Sequence, residues 1–318
     1  MAISQCDPRL DLISYNTKTY ISTLKIERLK NNPKINLNAE SEVVVVETGN
    51  QTEIKYSINN TGGYIRKISK DFYYDIRSGE VKEYNHSATS RKDNKSSIKR
   101  TMANLRKLIN TNITDYKKVI FVTLTYKENM TDPKQLYNDV RKFHQKLKIY
   151  LKKNNLPFDF GYISATECQA RGAFHQHNLY FFNTTAPYIS NDKLQELWGK
   201  GFTKTKSLKN VDDIGMYLTA YLTDLDLSED IEKLTGKKVD KAILKGARIG
   251  LIPKGFRIYR CSKVKRPNVY KTTEAEAQQK VNNSVLTYEK TLRISNYEGK
   301  TINIINYRNY NRISKKKK

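Results

Sequence analysis

The stretch FGYISATECQARGAFHQHNLYFFN, from Phe160 to Asn183, decides how the chain folds. Phe160 to Cys168 and Ala173 to Asn183 are rich in aromatic and β-branched residues and read as two strands joined by a short loop containing Gly172. Side chains alternate along a strand, so His175 and His177 project from one face, about 7 Å apart. If the loop is Ala170-Arg171-Gly172, with Gly172 in the left-handed position, Glu167 falls directly opposite His175 on that face. A register shifted by one residue points Glu167 to the other face. Two imidazoles and one carboxylate can hold a divalent cation with positions left open, which suits catalytic Mn²⁺ or Mg²⁺. The plainer alternative for His-x-His is a pair of histidines on a half-buried sheet face.

Working outward, Val119 to Tyr126 reads as an apolar strand. Asp132-Pro133 offers an N-cap and a first-turn proline, followed by a helix whose face is Leu136, Val140, Phe143, Leu147 and Tyr150/Leu151. Asp192 to Gly199 is a short helix around Trp198, and Phe202 to Leu208 a strand. The order β-α-β-β-α-β is the split βαβ arrangement of ferredoxin-like folds. It predicts an α+β domain with a five-stranded antiparallel sheet. Upstream, Ile98, Met102, Leu105 and Ile109 step as the apolar stripe of a helix from Ser90 to Asn110. Earlier still, Val43 to Val46, the turn Thr48-Gly49-Asn50 and Ile54 to Ile58 form a hairpin. The expected organisation is an N-terminal extension over 1–87, a catalytic domain over 88–268 and a basic C-terminal segment over 269–318.

A further helix is expected from Asp212 or Asp213 to about Leu225. It carries Tyr217 and Tyr221, whose i, i+4 spacing places both on one face. A metal that polarises a phosphodiester makes attack by a phenol feasible. Among 22 tyrosines, such a pair can equally be ordinary core or surface residues.

The net charge is +26, from 58 Lys and Arg against 32 Asp and Glu. Residues 241–318 hold 20 Lys and Arg against four Glu, a net of +16. Such a balance favours a polyanionic partner, nucleic acid above all, over a merely solvated surface. Cys6, Cys168 and Cys261 are odd in number and far apart, which argues against a disulfide framework or a zinc site. No leader pattern and no membrane-length apolar run is visible, so a cytoplasmic protein without membrane partners is expected. Gly299-Lys300-Thr301 is not a phosphate-binding loop, because Ile294 stands where that motif needs glycine. It turns a hairpin between Thr291–Asn296 and Thr301–Tyr307, and no nucleotide cofactor is expected.

These features, in this order, resemble the rolling-circle replication initiators of the HUH endonuclease superfamily, in particular the two-tyrosine initiators of Gram-positive plasmids and phages. The resemblance rests on Phe121 to Tyr126, Glu167 to His177 and Gly215 to Tyr221. It extends to a block of Lys245-Gly246-Ala247-Arg248 and Pro253 to Ser262, so it covers roughly 88–268. It implies an HUH nicking domain in which His175, His177 and Glu167 hold the metal. It implies Tyr221 as the nucleophile that keeps the 5′ phosphate and Tyr217 as the second tyrosine. Arg171, Lys245, Arg248, Arg257 and Arg260 would contact single-stranded or hairpin origin DNA, with host helicase and replication machinery acting in trans. A relaxase or tyrosine transposase shares the chemistry, and a non-cutting nucleic-acid-binding module shares the fold. The chain departs from its relatives in Gln176, where an apolar residue is usual. Ala220 and Asp224 likewise replace the lysines that often follow the tyrosines.

Overall fold

The computed structural model describes residues 25–29, 37–58, 65–75, 80–84, 95–169, 172–209, 214–223, 225–226, 243–244, 252, 255–295 and 299–312. They fall into two compact units, one from within 1–47, 51–87 and 268–318, the other from within 48–50 and 88–267.

The second unit holds the histidines. Helix α1 (Lys95–Asn112) buries the expected stripe of Ile98, Met102, Leu105 and Ile109. Strand β1 (Val119–Thr125) follows. Helix α2 (Pro133–Lys153) starts where Asp132 accepts a hydrogen bond from the Lys134 amide at 2.8 Å. Its buried face is Leu136, Val140, Phe143, Leu147 and Leu151. Strands β2 (Phe160–Cys168) and β3 (Phe174–Phe182) form the hairpin. Gly172, at φ +83°, takes the left-handed position. The Gln169 amide donates to the Ala173 carbonyl, which leaves a three-residue loop.

Helix α3 (Asn191–Trp198) is capped by Ser190 and ends on the left-handed Gly199. Its Trp198 indole N–H donates to the Thr125 carbonyl at 3.0 Å, tying the helix to β1. Strand β4 (Thr203–Lys206) is shorter than the expected Phe202–Leu208. Helix α4 (Ile214–Thr223) stops two residues before the expected Leu225, because Leu225–Asp226 pairs with Ile243–Leu244 instead. Strand β5 (Tyr259–Cys261) completes an antiparallel sheet of order β4-β1-β3-β2-β5. The element order β-α-β-β-α-β and the five strands are those read from the sequence, in an α+β architecture.

The other unit is a six-stranded sheet built from both ends of the chain. In spatial order its strands are Lys25–Arg28, Val285–Ser295, Thr301–Asn311, Gln51–Ser57, Glu42–Thr48 and Asn268–Thr273. A helix over Glu274–Val281 packs Ala277 and Val281 on Val43, Val45 and Ile54. A small three-stranded sheet over Ile65–Lys67, Phe72–Asp75 and Glu80–Glu83 lies in the same unit.

Candidate active site

Cross-strand partners in a ladder point to the same face. Thr123, His177 and Ala165 lie in one row, and Thr125, His175 and Glu167 in the next. Glu167 therefore stands opposite His175, on the histidine face. Its carboxylate also reaches diagonally, so Glu167 Oε2 lies 2.6 Å from His177 Nε2. The other ring nitrogen, Nδ1, is 3.1 Å from the Thr123 hydroxyl. His177 is wholly buried and Glu167 nearly so; His175 is half-buried. Burial, with a lesser push from the Lys206 charge, lowers the His177 pKa to about 3, so the ring is neutral at physiological pH.

Among the described residues, no three His, Cys, Asp or Glu side chains are grouped closely enough to hold a metal as they stand. The fold brings Glu167 and His177 into contact and sets His175 across the ladder from Glu167. A neutral imidazole touching a carboxylate, with a second imidazole in the adjoining row, is nonetheless donor chemistry that fits a hard or borderline divalent cation.

The tyrosine helix borders this face. Gly215 donates its amide to Asn110 Oδ1 of α1 at 2.9 Å, and Leu218 and Leu222 are buried. Tyr217 is half-buried, and its hydroxyl accepts a hydrogen bond from the Lys206 ammonium. The same ammonium lies 4.8 Å from the Tyr217 ring centroid. Lys206 pairs with Phe121 in the ladder, two residues before Thr123, so it shares the histidine face. The Tyr221 backbone lies in the same helix, one turn later; its side chain is outside the described part of the chain.

Lys206 was not singled out from the sequence. The signal was present, since alternation in Thr203-Lys204-Thr205-Lys206 puts both lysines on one face, but only the pairing of β4 with β1 identifies which face that is.

The arginines expected to bind DNA are placed differently. Arg260 pairs with Ser164 in the ladder and so faces away from the histidines. Its guanidinium carbon sits 4.2 Å from the Tyr137 ring centroid. Arg257 is exposed and lines the same cavity as Arg260. Arg171, Lys245, Arg248 and Asp224 lie outside the described residues.

Residues 119–226 match the model of a family described as replication-associated protein, of the ORF2 type. The region that holds Glu167, both histidines and both tyrosines is thus similar to replication-associated proteins. No curated protein and no solved structure matches the chain.

Proposed function

We propose that the chain is a rolling-circle replication initiator that nicks one strand at an origin and stays joined to it through a tyrosine. The contact of buried Glu167 with His177, beside His175 and a lysine-bound tyrosine on one sheet face, carries this reading. The β-α-β-β-α-β unit serves as a ferredoxin-like HUH nicking domain.

Glu167, His177 and His175 would hold a divalent cation, Mn²⁺ or Mg²⁺. When bound, that ion would polarise the scissile phosphate and favour attack at phosphorus. In the present arrangement the short Nε2 to Oε2 contact is a hydrogen bond, with the proton on Nε2 and the Thr123 hydroxyl donating to Nδ1. Metal binding displaces such a proton. His177 can then carry its proton on Nδ1, donate it to Thr123 Oγ1 and offer the Nε2 lone pair. A threonine in that position fixes the ring orientation.

The phenol oxygen of Tyr221 attacks phosphorus. A phosphorus–phenol oxygen bond forms, the bond to the 3′ oxygen breaks, and that oxygen leaves with a proton as a primer hydroxyl. The phenol proton passes to solvent. Tyr217 makes the corresponding attack at the regenerated origin, and Lys206 stabilises the charge that develops on its oxygen. Helicase and polymerase supplied by the host extend the freed end.

The test is to incubate the full chain with single-stranded origin DNA and Mn²⁺, then add a polymerase. Extension from a discrete new 3′ hydroxyl is expected. Tight DNA binding with no new end would favour a non-cutting binding module.

A further inference from the structure

The sheet face turned away from His175 and His177 carries a cavity of about 420 Å³ between α2, strands β2 and β3, and residues 255–260. This lies toward the low end of small-molecule pocket sizes. Its floor is Ser164, Thr166 and Gln176, the last being the polar residue between the two histidines. The Thr166 hydroxyl donates to Gln176 Oε1 at 2.9 Å. That bond orients the amide and leaves its N–H groups as the donors it can offer.

The walls are flat and mostly apolar: Leu136, Val140, Phe256, Tyr162 and His144. The His144 ring lies 4.0 Å, centroid to centroid, from Tyr162. Burial pulls its pKa down to about 4, so the wall is uncharged at neutral pH. Positive charge is confined to Arg141, Arg257 and Arg260, all exposed. None of the described lining residues is acidic. Arg260 lies over the Tyr137 ring, which limits how far its guanidinium can stray.

We propose that this cavity takes one unstacked nucleotide of the DNA, its base in the aromatic slot against Gln176 and its phosphate among the three arginines. A neutral slot with an amide at its base suits a base edge, and guanidinium groups suit a phosphate. The cavity lies on the face opposite the cutting site, so it is an anchor for the strand and not a place of cleavage. This inference rests on the proposed function only for the class of ligand.

The test measures binding by the full chain in chelator, where no cutting is required. The probes are an oligothymidylate, an abasic strand of equal length, and free thymidine 5′-monophosphate. The wild type should favour the base-bearing strand by about tenfold, the scale of one stacked base. Gln176→Leu, which keeps the side-chain volume, should erase most of that preference. Because Gln176 neighbours the histidines, Arg260→Met supplies a second variant at an exposed position, and thermal unfolding confirms that both fold. Lys148→Met, at an exposed position of α2 outside the cavity lining, controls for simple charge loss and should keep the preference.

Saturable binding of the monophosphate that is lost in Arg260→Met would also support the site and show that it accepts a free nucleotide. Equal affinity for both strands in the wild type, or a preference that survives both cavity variants, would overturn the proposal, even if the protein nicks DNA. A base preference that depends on the cavity, without any nicking, would sustain it while the initiator reading failed.

Discussion

His175 and His177 differ in how far they can be altered. His177 is fully enclosed and bonded to Glu167, so His177→Ala leaves a buried carboxylate without its partner. A stability loss of about 3 kcal/mol is expected alongside lost cleavage. His175 is half-buried, so His175→Ala should unfold close to the wild-type temperature yet fail to cut. Comparing the two melting curves checks the difference. Lys206 gives the finer test. Its ammonium bonds the Tyr217 hydroxyl, and a charged hydrogen bond contributes about 1.5–3 kcal/mol, roughly ten- to a hundredfold in rate. Lys206→Met should therefore slow circle release by that factor and spare the first adduct, while Lys206→Arg restores part of the loss. Equal slowing of both steps would place Lys206 elsewhere in the mechanism.

At the scale of elements, α4 owes its position to a glycine. A Cβ on Gly215 would sit 2.6 Å from the Arg106 carbonyl oxygen and 2.6 Å from Asn110 Oδ1. The backbone carbonyl cannot swing away, so Gly215→Ala should push the tyrosine helix off α1. A destabilisation of about 1–3 kcal/mol is expected, with adduct formation falling further than stability alone explains. Chemical denaturation beside an activity assay separates the two effects.

Much of this layer was legible beforehand. The β2–β3 hairpin could be read because alternation, loop length and one glycine together fix its register. The α2 start was written in Asp132-Pro133. The packing of α1 on α4 was not legible, since Gly215 and Asn110 meet only through tertiary structure. Nor was the cavity, which needs α2 laid across the sheet before Gln176 acquires neighbours. The helix over Glu274–Val281 was hidden by its brevity, with only Ala277 and Val281 as apolar anchors.

For the whole molecule, the two chain ends share one sheet, and no local pattern announces a pairing such as Lys55 with Tyr307. In that unit Arg308 grips Glu274 through two hydrogen bonds of 2.5 and 2.7 Å. Burial pushes the Glu274 carboxyl up, but the Arg308 and Gln278 hydrogen bonds outweigh it and leave the pKa below its ordinary value. The pair's contribution is therefore complete above the ordinary carboxylate range and is lost as pH falls through the lowered value. Arg308→Met should remove that acid-limb dependence, which thermal melts across pH 2–6 would reveal. Charge acts over the same scale. Deleting Lys315 to Lys318 should flatten the salt dependence of DNA binding, by about 0.9 in slope for each phosphate no longer neutralised on duplex DNA. An unchanged slope would show that the terminal lysines do not reach the backbone.

The central claim is a covalent bond between a tyrosine of α4 and DNA. Mass spectrometry of the full chain, after incubation with single-stranded origin DNA and Mn²⁺, tests it most directly. The account predicts a 5′-phosphodeoxynucleotide on Tyr221, absent in chelator and in Tyr221→Phe. Nicked DNA with no nucleotide attached to the protein, or an adduct on a residue outside α4, would contradict it.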